Sequence, residues 1–215
     1  SWKGWIKNNS KAINPHSIAS VDYNRFIEFR SKSIIEILNW MITKSSNPLI
    51  ICLQEVHPLI ISKLKELVGP TQIAIGKETE INYLVTLVTK STILSNQQIQ
   101  LDKKIALISK IKLDKSNKII SSANIHFYWK WSVQQIKNYG QELVSNLSSP
   151  FIIAGDFNKP IDMLGEFMDL FDCLLHNESK LGYTSILTHE PNTSNINLGK
   201  FDHIMFSSEF VLDNS

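Results

Sequence analysis

The residues with the clearest chemical potential follow a short apolar run in the second half of the chain. Residues 151–154 are long enough for one buried strand, Gly155 ends the run, and Asp156 and Asn158 follow on either side of Phe157. Side chains two residues apart on extended chain point the same way, so we expect the carboxylate and the carboxamide to project together. Strand ends are the usual place for chemistry in an open α/β sheet. The alternative is an ordinary strand followed by an Asp/Asn turn.

Polar residues also stand at the ends of other apolar segments. Glu55 follows the run at 49–53, His126 lies near the end of a β-like segment, and Asp202 and His203 begin a further one. Taken singly, Glu55 could be a solvated or helix-capping acid, His126 a hydrogen-bonded sheet histidine, and Asp202 the partner of Lys200. Together these groups suit a hard divalent cation with oxygen ligands and open water positions, such as Mg²⁺ or Mn²⁺. The sequence lacks the Cys/His spacing of structural zinc and a serine nucleophile elbow.

Four motifs, in this order and at these intervals, resemble those of the endonuclease/exonuclease/phosphatase (DNase I-like) superfamily of metal-dependent phosphoesterases. They are Ile51-Cys52-Leu53-Gln54-Glu55-Val56, Asn124-Ile125-His126, Gly155-Asp156-Phe157-Asn158 and Phe201-Asp202-His203-Ile204. The resemblance covers roughly residues 24–210. It implies an α/β fold, a four-layer sandwich of two packed mixed sheets with helices on both outer faces. It also implies Mg²⁺ as the cofactor, with Mn²⁺ as a substitute.

The resemblance implies a role for each of five residues. Glu55 would ligate the metal, which polarises the scissile phosphate. Asp156 would orient or deprotonate the attacking water, and Asn158 would hold that water or a phosphate oxygen through its amide. His126 would donate to a non-bridging oxygen as charge grows in the transition state. Asp202 matches the family's acid that holds a catalytic histidine in its tautomer.

Two parts of the family pattern are missing from the sequence. No strand ending in a metal-assisting Asn precedes the first motif, and Lys3 stands where that Asn belongs if Ser1-Trp2 is the end of that strand. A closing Ser-Asp-His triplet is missing too; Asp202-His203 could be that pair, but the residues that follow favour the earlier acid-bearing strand. We therefore expect one domain over residues 1–215 without the first and last family strands. It is either a fragment, which we favour, or a degenerate domain, and we expect the 215-residue chain to be weakly active or inactive.

Composition describes an ordinary globular protein. The 215 residues carry a formal charge of +2 and are 43% hydrophobic, so no strong field indicates a nucleic-acid or membrane partner. Cys52 and Cys173 lie in apolar runs, which is typical of buried thiols, and this favours a reducing intracellular compartment over a disulfide framework. The longest apolar runs are too short to cross a bilayer. The sequence leaves localisation and oligomeric state open.

Hydrophobic spacing predicts helices alternating with strands around a β-rich middle. Helices are expected at about 24–43, from Pro58 to 67, from Ser132 to 147 and near 161–170. Strands are expected at 49–53, 72–75, 83–89, 104–113, 118–127, 151–154, 171–175 and 201–206, with residues 1–23 irregular and 188–200 a long polar loop.

The substrate predicted first is DNA or RNA, with hydrolysis of its phosphodiester bonds. Residues 127–131 interleave aromatics with a lysine, and these aromatics could stack bases beside the phosphate, although Trp131 could simply pack under the next helix. Lys159 could contact a phosphate or be a solvated turn lysine. With Gly182-Tyr183-Thr184, the Lys159-Pro160 variant is similar to repair-type and retroelement endonuclease domains. The alternatives are a phosphatase of inositol lipids or other small phosphoesters, and a non-catalytic domain on the same scaffold.

Overall fold

The computed structural model describes residues 20–159, 163–171, 173–175, 185–188, 196–199 and 202–207. The chain divides into two compact units, Ser1–Lys44 and Ser45–Ser215. In the first unit, helix α1 (Ser20–Lys44) takes in the predicted helix but starts earlier, so the irregular segment predicted up to residue 23 is wrong for its last residues. The rest of that segment lies outside the described residues. The expectation of a single domain over 1–215 stays a prediction.

The first sheet of the second unit has three antiparallel strands in the order β1-β3-β2. They are β1 (Leu49–Val56), β2 (Ile73–Lys77) and β3 (Tyr83–Thr89). Helix α2 (Pro58–Leu67) begins with a proline, where a missing N–H is tolerated, and buries Ile60 and Leu64. All residues of the central strand from Leu84 onward are buried, as expected of a strand covered on both faces.

The second sheet has six strands in the order β4-β5-β6-β7-β11-β8. They are β4 (Ser91–Leu101), β5 (Lys104–Leu113), β6 (Ile119–His126), β7 (Phe151–Asp156), β8 (Cys173–Leu175) and β11 (Asp202–Ser207). Only the β6–β7 pair is parallel, because helix α3 (Val133–Val144) carries the chain back between them. A short helix α4 (Gly165–Asp169) follows β7.

Apolar side chains fill both faces of this second sheet. Between the sheets, Ala74 and Leu84 of the first pack with Ile105 and Leu107 of β5. On the other face, Ile136 and Leu143 of α3 pack into a large core cluster. In the second unit the two sheets therefore pack face to face with α3 on the outer face of the larger one, which confirms the predicted α/β sandwich; the three-stranded sheet is wholly antiparallel and the six-stranded one mixed. No helix among the described residues is long and apolar enough to span a membrane.

Three strands were not predicted, one at the edge of the larger sheet and two that pair with each other. β4 is an edge strand of its sheet, and residues 94–98 are exposed, so its sequence lacks the apolar run that marks a central strand. The predicted loop 188–200 is wrong in part, because it contains β10 (Ile196–Gly199), which pairs with β9 (Ser185–Thr188). Among the described strands, these two pair with each other and not with either larger sheet.

Candidate active site

Three neighbouring strands of the larger sheet bring polar residues side by side. His126 at the end of β6 is opposite Asp156 at the end of β7, and Asp156 is opposite Asp202 at the start of β11. The parallel β6–β7 pair places both carboxyl ends at one edge of the sheet, and the antiparallel β11 brings its first residue to the same edge. Three residues far apart in sequence therefore meet in one row.

Glu55 reaches this row from the other sheet. A β-bulge lies between Leu53 and Val56, where β1 carries one more residue than β3, and Glu55 has a φ of 53°. A positive φ is uncommon for a residue with a side chain, and bulges turn side chains out of the regular alternation. The Glu55 side chain is 66% exposed, and its Oε1 lies 4.0 Å from His126 Nε2. The bulge thus presents this carboxylate to the row of strand ends.

The buried amide of Asn124 connects the two sheets beside the site. Its Nδ2 donates to the carbonyl oxygens of Leu53 (3.1 Å) and Val85 (3.0 Å), and its Oδ1 accepts from Gln54 Nε2 at 2.7 Å. Asn124 is on β6, two residues before His126, and Gln54 directly precedes Glu55. These hydrogen bonds therefore set the position of the Glu55 strand end relative to the His126 strand end.

We expect Asn124→Ala to lower the free energy of unfolding by about 3 kcal/mol, because it leaves several buried polar groups unpaired and opens a small cavity. Urea unfolding of the variant measures this loss. The matched control is Asn96→Ala on the exposed edge strand β4, which should change stability by less than about 0.5 kcal/mol. Equal effects of the two substitutions would show that the Asn124 bonds do not hold the sheets together.

Asn158 meets Asp156 through a turn and not through strand alternation. The strand ends at Asp156; Asn158 has a φ of 50°, and its backbone N–H donates to Asp156 Oδ1 at 2.8 Å. One N–H of its side-chain amide donates to the Phe127 carbonyl at 2.8 Å, which leaves the second N–H for another acceptor. Phe157 between them is fully buried. The carboxylate and the amide therefore lie close together, as expected, while the residue between them anchors the turn in the core.

The environment of Asp156 favours its neutral form. Burial raises the pKa of its carboxyl, the backbone N–H of Asn158 opposes that rise, and the negative charges of Asp202 and Glu55 add to it. His126 acts in the opposite direction. The net result is a pKa above the ordinary aspartate value. A carboxyl of this kind is typical of functional sites, where a general base works best with a pKa near the working pH.

His126 belongs to a buried charged cluster that the sequence did not indicate. Its Nδ1 lies 3.2 Å from Glu78 Oε2 and 2.9 Å from Lys104 Nζ, and Lys104 Nζ lies 3.1 Å from Glu78 Oε1. The Glu78 side chain is completely buried. Burial alone would raise the pKa of Glu78, but the hydrogen bond with His126 and the charges of His126 and Lys104 outweigh it and hold that pKa low.

Neither of these two residues carries a signal in the sequence. Glu78 and Glu80 stand two apart in one polar turn, yet the Glu80 side chain is 88% exposed and pairs with Lys77 at the surface. Lys104 follows a turn and resembles any solvated turn lysine. Glu78 differs from Glu80 because it follows the end of strand β2 beside His126. This position becomes visible only when the two sheets are packed together.

A cavity of about 340 Å³ opens where these groups meet. Its lining residues are Glu55, Lys104, His126, Phe127, Tyr128, Trp129, Asp156 and Asn158. Four of the five predicted site residues therefore face one space, and the fifth, Asp202, adjoins it through its pairing with Asp156. The described residues contain no group of three His, Cys, Asp or Glu side chains arranged as metal ligands.

The aromatic segment after His126 divides into a buried and an exposed part. Trp131 is buried and packs against Tyr139 of α3 with ring centroids 4.3 Å apart, so it supports the helix. Trp129 is 62% exposed at the cavity rim, and Lys130 Nζ lies 4.9 Å from its ring centroid. Lys159 Nζ donates to the Trp129 carbonyl at 2.9 Å, so this lysine ties the segment to the turn after β7.

His203 turns away from the cavity, since alternation along β11 sends it to the opposite side from Asp202. It is buried, its Nε2–H donates to the Lys159 carbonyl at 3.0 Å, and its ring meets Phe157 edge-on. It does not line the cavity. These contacts favour the alignment in which His203 is a neighbour of the acid and not the closing catalytic histidine. Cys52 is no nucleophile at neutral pH either, because burial raises the pKa of its thiol to about 11.

Comparison with known proteins identifies the fold. The sequence matches no protein-family model, and its comparison with curated proteins gives no significant match. Among solved structures, an endonuclease/exonuclease/phosphatase from Bacteroides vulgatus is similar with a TM-score of 0.66 at 15% identity, over 84% of this chain and 79% of that one. D. rerio TDP2, solved with a single-stranded DNA product, gives 0.65 at 16% identity over 84% and 77%. A mannosyl-6-phosphatase from Bacteroides thetaiotaomicron gives 0.65 at 15% over 88% and 81%. The chain thus has the fold of endonuclease/exonuclease/phosphatase proteins, as its motifs predicted.

Proposed function

We propose that this protein is a divalent-metal-dependent phosphoesterase that hydrolyses phosphodiester bonds in nucleic acid. The observation that carries the proposal is the meeting of Glu55, His126, Asp156 and Asn158 around one cavity. Attack of water on a phosphate requires a carboxylate, an imidazole, a general base and an amide donor. These four residues can supply them. The fold supports the same class of reaction by analogy.

The donor set fits Mg²⁺ bound mainly by water and substrate. Magnesium is usually held by one or two carboxylates and keeps several waters, so the exposed Glu55 carboxylate is a sufficient protein anchor. The negative charges of Glu55 and Asp202, which raise the pKa of Asp156, are also charges that a cation would offset. When bound, the metal would polarise the phosphate and stabilise the leaving oxygen.

The chain's own residues supply the remaining steps. Asp156 accepts a proton from water as the water oxygen bonds to phosphorus, and the leaving oxygen departs with the electron pair of the broken bond. Asn158 offers its second amide N–H to that water or to a phosphate oxygen. His126 donates from Nε2 to an oxygen on which charge develops. Asp202, next to Asp156 in the sheet, favours the protonated state that Asp156 reaches after the proton transfer.

Trp129 favours nucleic acid over a small phosphoester as the substrate. An exposed indole at the rim of this cavity offers a face for base stacking, which contributes about 1–3 kcal/mol per base. TDP2, one of the structures with this fold, holds single-stranded DNA. The competing substrate class is a small phosphomonoester, since a mannosyl-6-phosphatase shares the fold equally well.

We expect weak Mg²⁺-dependent cleavage of single-stranded DNA that is abolished by EDTA, and a roughly tenfold lower kcat/KM in Trp129→Ala because a stacking partner is lost. The measurement is cleavage of an end-labelled oligonucleotide, with an inositol phosphate as the alternative substrate. Trp40→Ala removes an equally exposed tryptophan of helix α1 and serves as the matched control.

Two results would contradict the proposal in different ways. Hydrolysis of the inositol phosphate but not of DNA, with no effect of Trp129→Ala, would assign the small-phosphoester alternative. Metal-independent binding of DNA without hydrolysis of either substrate would assign a non-catalytic domain on this scaffold.

A further inference from the structure

Lys104 is a charged side chain held inside the cavity, and neither the sequence motifs nor the proposed reaction uses it. Only 16% of its side chain is exposed, and lysine is rarely buried to this degree unless it is paired. Its partner, Glu78, is completely buried. A buried ion pair adds little net stability compared with apolar residues of the same size, so stability alone does not account for this pair.

The hydrogen-bonding capacity of Lys104 exceeds the contacts that it makes. An ammonium group has three N–H donors. Among the described residues Nζ has two neighbours, Glu78 Oε1 at 3.1 Å and His126, whose Nδ1 is 2.9 Å away. At least one donor is therefore left on a group that lines the cavity.

Lys104 and Glu78 compete for the same ring nitrogen of His126. Glu78 Oε2 lies 3.2 Å from the same Nδ1. An ammonium can only donate and a carboxylate can only accept, so Nδ1 serves one of them at a time. When Nδ1–H donates to Glu78, Lys104 can donate only to the more distant Nε2, 3.3 Å away, and the ammonium stays paired with Glu78 Oε1.

We propose that Lys104 is the phosphate-binding cation of this site, with Glu78 as the residue that positions it beside His126. The inference rests on the proposed function for its substrate class, a phosphoryl oxyanion in the cavity. Lys104 is a compact point charge with free donors, the form in which lysine binds phosphate oxygens. An oxyanion next to His126 Nε2 also lies next to Lys104 Nζ, because the two nitrogens are only 3.3 Å apart.

The test is binding of inorganic phosphate without divalent metal, followed by the NMR signals of the His126 ring. We expect Lys104→Met to weaken phosphate binding about tenfold or more, because a charge-assisted hydrogen bond is lost. Lys104→Arg keeps the charge and should retain most of the affinity. Lys110→Met on the same strand removes an exposed lysine outside this cavity and should leave the affinity unchanged.

A double variant guards against misfolding of Lys104→Met, in which Glu78 would be a buried unpaired charge. Glu78→Gln combined with Lys104→Met removes one charge of each sign, so the net charge of the site is unchanged. Phosphate binding weakened to the same extent in the double variant supports a specific role for the ammonium group. Wild-type affinity in the double variant, or no phosphate binding by the wild type, overturns the proposal. Absence of nucleic-acid hydrolysis alongside Lys104-dependent phosphate binding would contradict the proposed function only.

Discussion

Asp156→Asn is expected to reduce phosphoester hydrolysis about 10³-fold while making the protein more stable at neutral pH. The loss of activity follows because an amide cannot take a proton from the attacking water. The gain in stability follows because burial and the charges of Asp202 and Glu55 disfavour the Asp156 carboxylate in the folded protein. Asparagine keeps the acceptor for the Asn158 N–H, so the turn should survive.

The pH dependence of this stability difference has a definite sign. The folded-state pKa of Asp156 lies above the ordinary value of 3.8, so the folded protein binds this proton more tightly than the unfolded chain. The stability gap between the variant and the wild type is complete above the raised folded-state pKa. It closes as the pH falls toward 3.8, where the wild-type carboxyl is protonated too.

The measurements are initial hydrolysis rates and thermal melting curves at several pH values. Asp169→Asn removes an exposed carboxylate on α4 and controls for the change in overall charge. Near-wild-type activity of Asp156→Asn would eliminate Asp156 as the base. A gap in melting temperature that widens as the pH falls would contradict the electrostatic explanation.

Gly155→Ala is expected to lower the free energy of unfolding by about 3 kcal/mol or more, and to reduce the folded yield accordingly. A Cβ atom at this position would lie 1.9 Å from the carbonyl oxygen of Ile125, well inside van der Waals contact, and the φ of 153° is one that side chains rarely adopt. The obstacle is backbone on the neighbouring strand, so a side-chain rotation cannot relieve it. The two strands that carry His126 and Asp156 would have to separate.

Gly165→Ala is the matched control for this substitution, because a Cβ there would have no neighbour within 4 Å. It lies in the first turn of α4, where alanine favours the helix, and should leave stability unchanged or slightly higher. Chemical denaturation of both variants measures the difference. Equal stability of the two would show that the β6–β7 pair tolerates a wider spacing than its register implies.

Much of the fold could be predicted from the sequence because burial imposes a pattern. Apolar surroundings explain both the continuous apolar run before Glu55 and the spacing of Ile136 and Leu143. The structure confirms the strand and the helix that these two patterns predict. Edge strand β4 lacks such a pattern, because its residues 94–98 are exposed.

The candidate site was predictable to the extent that its residues end apolar strands. Glu55, His126 and Asp156 were found this way, and Asn158 from its place in the motif. Glu78 and Lys104 were missed because each sits in or beside a polar turn, and their burial is created only when β2, β5 and β6 assemble. The φ of Glu55 could not be foreseen either, since the bulge depends on the register between β1 and β3.

The hydrogen bonds of Asn124 have a consequence for how the chemistry of this protein can vary. Glu55 comes from one sheet, and His126 and Asp156 come from the other. The distances between these side chains across the cavity therefore depend on how the two sheets pack against each other. We therefore expect a change of side-chain volume at Leu84 or Ile105, which pack together between the sheets, to alter those distances without touching the site itself. In this architecture the packing between the two sheets sets the spacing of the candidate site.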